Sequence, residues 1–480
     1  MKHWKYLTGS LVALSFTACT DKVLDRINTN LNDPKDVAVV NEISTVTTET
    51  AFGTTGTDMA WYASVFVEHN AGTYGQMLAA DNRTAVNASS LMNNSWNAVY
   101  DNMMILNDII NKCSPGGKEQ ENKASLGIAQ TLMAYNLAVT SDMWGQVPFK
   151  EALKGMGNFK PKYDKQQELY EKTIQPLLDS AIKNFARPTP DGVITALGNT
   201  DLIYHGDVEM WTMAAWSLKA RYYLHMSTVQ PAAVDKALEA VANGFADAGS
   251  EMLFNVYQAT ATGENPWFQF NSDRQYLSIG KTLYDIMTQR NDPRIAKYFV
   301  PKASGYVPAP NGTADETYSK YSVSRLSYPG SSEARIAATP LMTYHELKFI
   351  EAELKARKNE DFKPALQAAV EASFAYHKAT GGAAYYTAQV VPLLGTTQAA
   401  NLKEILTQKY IALYEAESLE SYNDYRRTRI PALNNPNNNV ASYGFVERFP
   451  YPTSETSANG ANVPKVNIFR DKIWWAGGTE

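Results

Sequence analysis

Apolar residues recur at helical spacing through most of the chain. Leu169, Tyr170, Ile174, Leu177, Leu178, Ala181, Ile182 and Phe185 share one helical face, as do Trp211, Ala214, Ala215, Leu218, Tyr222, His225 and Met226. The same spacing links Leu341, Tyr344, Leu347, Ile350 and Leu354, and again Leu402, Ile405, Leu406, Tyr410, Leu413 and Tyr414. Further helices are predicted over 43–52, 58–70, 92–112, 123–140, 231–243, 279–290 and 362–377. Asp164 suits the N-cap of the first segment, where its carboxylate would accept from free N–H groups, and Pro176 should bend that segment. Strict apolar–polar alternation is scarce, so any strands should be short and few. The fold class implied is all-α, a helical scaffold.

Polar, turn-forming stretches separate these helices. Residues 71–90, 187–207, 255–278, 300–338 and 431–470 hold most of the Gly, Pro, Asn and Ser. Structureless loops longer than about 15 residues are uncommon unless they do something. A helical scaffold with long loops places binding on the loops. No clean repeat recurs at a fixed period.

The amino terminus follows a different pattern. Lys2, His3 and Lys5 precede an apolar or small run from Leu7 to Ala18, which ends at Cys19. This is the order of an export signal, and the run is well short of the ~20 residues that span a bilayer. Thr17 and Ala18 before the cysteine resemble a lipobox, with Phe16 where Leu is usual. The expectation is a signal peptide over 1–18, an acylated Cys19 opening a polar tether over 19–37, and one folded domain over 38–480. Acyl chains add ~0.8 kcal/mol per buried methylene, so several of them hold a protein firmly. The chain is then anchored to a membrane and does not span it.

Composition narrows the function. The 480 residues carry a formal charge of −5, which offers no basic surface for nucleic acid. Aromatics reach 11%, with 28 Tyr and 9 Trp, enough to make sugar stacking worth testing. With Cys19 in the leader motif, Cys113 stands alone, so no intrachain disulfide is expected and Cys113 should be a small buried hydrophobe.

A search for catalytic signatures fails. His345-Glu346 begins a zinc motif whose second His position holds Phe349, and Gly280-Lys281-Thr282 lacks the first glycine of a phosphate loop, Gln275 standing there. No Gly-x-Ser-x-Gly elbow exists. His225, on an apolar stripe, is expected to be a satisfied core residue. Glu346, Glu351 and Glu353, and likewise Glu415, Glu417 and Glu420, read as solvated helix faces, and no isolated acid stands out as having a raised pKa. No enzymatic activity, cofactor or metal site is expected. A hydrolase with two carboxylates on the helical scaffold is the alternative.

Two loops carry the residue types that read sugar hydroxyls. The first offers Tyr74, Gln76, Asp81, Asn82 and Arg83; the second offers Tyr257, Asn265, Trp267, Phe268, Asn271, Asp273, Arg274 and Tyr276. Tyr74, Arg83, Trp267, Phe268, Asn271, Asp273 and Tyr276 are the candidate ligand contacts. Trp267 and Phe268 fit a second role equally well, anchoring their own loop. Trp61 and Trp96, in helical segments, are expected in the core.

Several short motifs, in order, resemble the SusD/RagB family of outer-membrane lipoproteins, and its SusD-like branch in particular. They include Asn28 to Pro34, with Leu31 where the family has Pro, and Trp96-Asn97-Ala98-Val99-Tyr100. They continue with Asp142-Met143-Trp144-Gly145-Gln146-Val147-Pro148-Phe149, Pro161-Lys162-Tyr163-Asp164 and Asp201 to Asp207 leading into Trp211. Asp292-Pro293-Arg294, Gln408 to Tyr414, Arg426-Arg427-Thr428 and Arg448-Phe449-Pro450-Tyr451-Pro452 complete the series. In this family Trp144, Gly145, Pro148 and Tyr163 look structural, and Arg426 and Arg427 are expected to pair with acids or helix ends.

The resemblance implies tetratricopeptide-like helix pairs with loops packed on them. It also implies a job: a lid over a SusC-like TonB-dependent transporter that binds oligosaccharide, or peptide, at the outer membrane facing the cell exterior. A lid with no ligand of its own is a third possibility. Family members sometimes hold calcium, but no residues here select a site for it.

Overall fold

The computed structural model describes residues 37–86, 92–315, 319–415 and 417–480. The expected leader and Cys19, with all of the tether except Val37, lie outside these residues. The longer helices are α1 (Val39–Glu49), α2 (Asp58–Phe66), α3 (Asn93–Cys113), α4 (Lys123–Trp144), α5 (Gln175–Phe185), α6 (Asp191–Thr200) and α7 (Val208–Met226). They continue with α8 (Ala233–Ala242), α9 (Pro266–Asp273), α10 (Lys281–Gln289), α11 (Tyr344–Arg357), α12 (Lys363–Tyr376), α13 (Gln398–Ala412) and α14 (Ser418–Thr428). Helices α3 and α4, α7 and α8, and α11 and α12 pack as pairs across short connections, the geometry of helical hairpins. Contacts of α4 with α5, α5 with α7 and α8 with α11 join these pairs into a continuous scaffold. The expected all-α class with few short strands is what the chain adopts.

The strands are short and pair two by two, antiparallel: β1 (Asn70–Gly72) with β3 (Leu277–Ile279), β2 (Met252–Phe254) with β6 (Thr339–Met342), and β4 (Phe299–Val300) with β5 (Val323–Ser324). Each pair fastens a loop to the scaffold. No helix among the described residues is long and apolar enough to cross a membrane.

Several starts are set by caps that periodicity alone did not single out. Asn122 accepts from Ser125 N, Asp207 from Glu209 N and Met210 N, Thr343 from Glu346 N, and Thr397 from Ala400 N. Asp164 is not a cap. Its Oδ2 accepts from Phe149 N at 2.9 Å and Lys150 N at 2.8 Å, closing the turn before the helix. The helical run from Gln166 is capped from far away: the Glu480 carboxylate accepts from Gln166 N and Gln167 N. Pro176 does not break that run. A widened π turn over Tyr170–Ile174 directly precedes it, which relieves the missing donor and the ring clash.

All five segments expected to be loops contain helix. Residues 187–207 hold α6, 255–278 hold α9, and 71–90, 300–338 and 431–470 hold short helices at Gly75–Asp81, Ser332–Arg335 and Thr453–Ala458. All are short, and tertiary packing stabilises them more than local propensity does.

Candidate functional site

The two candidate loops meet at the β1–β3 ladder. Gly72 pairs with Leu277, and Thr73 N donates to Tyr276 O at 2.9 Å. This registers Tyr74 and Tyr276 side by side just beyond the ladder. Their ring centroids are 5.3 Å apart with planes tilted by 44°. Tyr74 is 49% exposed, the half-buried Tyr276 less so. Gly75 makes this approach possible. Its φ is +51°, and a Cβ there would lie 2.9 Å from the Tyr276 ring.

Further rings continue inward. Tyr276 meets the edge of Phe270 at 6.0 Å, Phe270 stacks on Trp61 at 4.0 Å, and Trp61 meets Trp267 edge-on at 6.5 Å. Asn265 caps α9 by accepting from Trp267 N and Phe268 N, with Pro266 in the first turn, and so sets Trp267 and Phe270 one turn apart on a single face. Trp267, Phe268 and Phe270 are buried. Trp61, expected in the core, is half-buried beneath the site, and its indole N–H has no hydrogen-bond partner among the described residues. Trp96 is a core residue. Sequence reading missed Phe270 as a member of this row; its spacing from Trp267 within one short helix was the available signal.

The polar candidates divide by exposure. Asp273 and Arg274 reach solvent beside Tyr276. Asn271 is buried and donates to Ser327 Oγ at 2.7 Å; Ser327 in turn donates to Glu415. Arg83 is buried too. It donates to Ala80 O, Asp81 O, Gly444 O and Asn438 Oδ1, and its guanidinium sits 5.3 Å from the Phe66 ring centre. The Asp81 carboxylate accepts from Gly72 N, Gly312 N and Asn435 Nδ2, tying three loops together. Burial pushes its carboxyl up to about 7. The structure thus brings Tyr74, Tyr276 and Asp273 to the surface together and sets Trp267, Phe268, Asn271 and Arg83 beneath it.

The acids read as solvated faces are a correction. Glu346, Glu353, Glu415, Glu417 and Glu420 are buried, and only Glu351 is half-buried. Their partners come from distant segments: Arg221 Nε donates to Glu346 at 2.9 Å, and Arg427 spans Glu353. As the resemblance implied, Arg427 pairs with acids, and Arg426 donates to the carbonyl of Asp142 near the end of α4. Acids with raised pKa also exist, against expectation: burial pushes Glu251 and Glu415 up to about 7. Glu415 is satisfied by Ser324 and Ser327 and has no access to solvent, so it serves the fold.

His225 lies in the core, as expected, with Asp142 and Glu420 close enough to suggest a metal cage. Their chemistry argues otherwise. His225 Nε2 lies 2.9 Å from Glu420, while Asp142 already accepts from Trp475 Nε1 and from the Tyr170 hydroxyl. Burial alone would lower the imidazole pKa, but Glu420 and Asp142 outweigh it and push it up to about 9. The two carboxylates hold the charged ring as an ion-pair knot.

A family model for SusD-like proteins, described as starch-binding and associating with the outer membrane, matches residues 29–452. The chain belongs to this SusD-like family. A SusD/RagB family protein from Bacteroides thetaiotaomicron VPI-5482 shares 31% identity over 93% of this chain and 100% of its own, with a TM-score of 0.83. A chitin-binding SusD homologue from Flavobacterium johnsoniae is 21% identical over 91% of this chain and 98% of its own, TM-score 0.75. A SusD homologue from Bacteroides uniformis ATCC 8492 is 20% identical over 92% of this chain and 100% of its own, TM-score 0.73. The last two establish the SusD-like fold alone. No curated protein matches the chain.

Proposed function

We propose that this SusD-like chain is a non-catalytic, glycan-binding lipoprotein of the cell surface. Acyl chains on Cys19 hold it to the outer membrane facing outward, and it passes cargo to a SusC-like TonB-dependent transporter. The Tyr74–Tyr276 pair carries the reading. Two neighbouring rings, partly open to solvent and fixed by a strand ladder, suit the C–H faces of a sugar chain. Asp273 and Arg274 beside them supply polar partners for hydroxyls, while Trp267, Phe268, Asn271 and Arg83 keep the loops in place from below. An open, shallow site of this kind favours moderate affinity and release, which delivery requires.

The family description and the chitin-binding homologue support a glycan cargo. Asp81, Glu251 and Glu415, whose carboxyls burial raises to about 7, are buried and already accept hydrogen bonds within the fold, which speaks against a glycosidase built on them.

The experiment is retention of purified protein on starch, chitin and peptide affinity gels, with product analysis alongside. Retention on a glycan gel without product, lost in Tyr74→Ala and Tyr276→Ala, is expected. Product formation would establish a hydrolase, and retention on peptide alone would change the cargo. Labelling cells with a clickable palmitate analogue, with Cys19→Ser as control, tests the anchor separately.

A further inference from the structure

The two most exposed large apolar side chains among the described residues sit on one short turn. Met156 is 90% exposed and Phe159 72% exposed, between Leu153 and Pro161. Five lysines, Lys150, Lys154, Lys160, Lys162 and Lys165, fall within 150–165 against the two acids Glu151 and Asp164, in a chain of net charge −5. Lys150 pairs with Asp164 and Glu168, and Lys162 lies 3.9 Å from Glu151. Lys154 and Lys160, which flank the two apolar residues, are exposed and form no ion pair among the described residues. The turn is held rigidly at its base: Asn158 Nδ2 donates to Glu151 O, and Asn462 Nδ2 to Lys160 O.

Helix α3 shows where this finger lies. Toward the N-terminal end of the helix, Ala98 faces Gly53, where an added Cβ would lie 3.4 Å from the Ala98 methyl, and Gly56, one turn further along that segment, has no room for a Cβ beside Pro266 at the start of α9 under the aromatic site. At the other end, Lys112 Nζ donates to Val37 O, where the chain coming from Cys19 joins the fold. Those two ends are about 21 Å apart at 1.5 Å per residue. Asn107 Nδ2 donates to Leu153 O at the finger's base, only about 8 Å along the helix from Lys112. The finger's other foot runs back along the same helix, where the Tyr163 ring stacks 6.5 Å from Trp96, so the finger rises beside the middle of α3, with its Leu153 foot toward the end that receives the tether.

We propose that this finger is an interfacial contact that seats Met156 and Phe159 among the anionic, phosphate-bearing headgroups of a lipid surface, with Lys154 and Lys160 on the phosphates. Ammonium groups flanking two protruding apolar side chains match that boundary in both charge and polarity. A protein partner is the less favoured occupant, because two side chains on one turn fall far short of the roughly 800 Å² per partner of a stable interface. A weak contact suffices when a tether holds the body nearby.

The test uses the mature chain with Cys19→Ser, so that neither acylation nor a glycan enters the readout. Cys113 is buried, so a Phe159→Cys substitution provides the reactive thiol for an environment-sensitive dye. The dye should brighten and shift to the blue with phosphatidylglycerol vesicles, not with phosphatidylcholine vesicles, and the response should fade in ~0.5 M salt. Lys154→Glu with Lys160→Glu should weaken the response about tenfold. The same dye at Leu393, exposed elsewhere, should stay silent. No response to phosphatidylglycerol, or an equal one at Leu393, overturns the proposal. So does a response confined to native outer-membrane vesicles and abolished by protease, which would assign the finger to a protein.

Discussion

Arg427 and Glu353 meet as a two-pronged ion pair inside the scaffold: Nη1 lies 2.5 Å from Oε1 and Nη2 2.7 Å from Oε2, and neither side chain reaches solvent. Desolvating both groups costs heavily, so the pair adds little over an apolar pair of the same shape, but losing Glu353 leaves the buried Arg427 to Asp424, which Lys409 already engages. Glu353→Ala should therefore destabilise the fold by roughly 3–5 kcal/mol, whereas Glu353→Leu with Arg427→Met should recover most of the loss. Urea unfolding of the three proteins measures both steps. Equal losses in the single and double variants would show that the pair itself holds the helices together.

His225 predicts how stability changes on the alkaline side. Its imidazole, about 9 when folded and near 6.5 when free, binds its proton more tightly in the native state. That contribution is complete below pH 6.5 and is lost as pH rises through 9. Across that interval the loss amounts to roughly 3 kcal/mol. Burial holds the Glu415 carboxyl near 7 against an ordinary 4.5, and its effect has the same sign but falls on the acid side of this interval. Denaturation midpoints between pH 6.5 and 9 read the loss, and a flat profile would mean that His225 is neutral in the knot.

The aromatic pair predicts a binding loss without a stability loss. Tyr74 is half exposed and Tyr276 lies at the rim, so truncating either leaves no deep cavity. Each of Tyr74→Ala and Tyr276→Ala should weaken glycan binding about tenfold, from ~0.5–1.5 kcal/mol of ring contact plus lost area. The melting temperature should move little. Affinity electrophoresis and thermal melts on the same samples separate the two effects.

Gly75 carries a sharper prediction. At φ +51°, a Cβ 2.9 Å from the Tyr276 ring must push that ring aside. Gly75→Ala should cost about 1 kcal/mol in stability from the strained backbone. It should also reduce glycan binding although no ligand-contacting atom is removed. Unchanged binding would mean that the rings need not be held at this spacing.

Much of the fold was legible. The run into α5 and helices α7, α11 and α13 carry long apolar stripes, and periodicity is at its most informative over such lengths. Helices α6 and α9 read as loop in the sequence because they are short and bounded by Gly, Pro and Asn. Of the candidate site, aromatic and polar composition singled out two loops that the fold brings together at one strand ladder. It could not separate Tyr276, at the surface, from Trp267, inside, because both sit in one stretch of mixed chemistry and their exposure depends on α2 and the β1–β3 ladder packed against them. The acids of α11 looked solvated for a related reason: a charged residue is read as exposed unless its partner is in view, and Arg221 and Arg427 lie 125 and 74 positions away.

By itself, the sequence determined the helical class, the two loops rich in aromatic and polar residues and the family motifs, since each of these is written in residue type and near-neighbour spacing. Tertiary structure alone decided which aromatic rings reach solvent, which carboxylates become buried ion pairs, and which end of α3 receives the incoming chain. Those outcomes depend on contacts between segments tens to hundreds of residues apart, where burial and pairing energies arise only once the chain has folded.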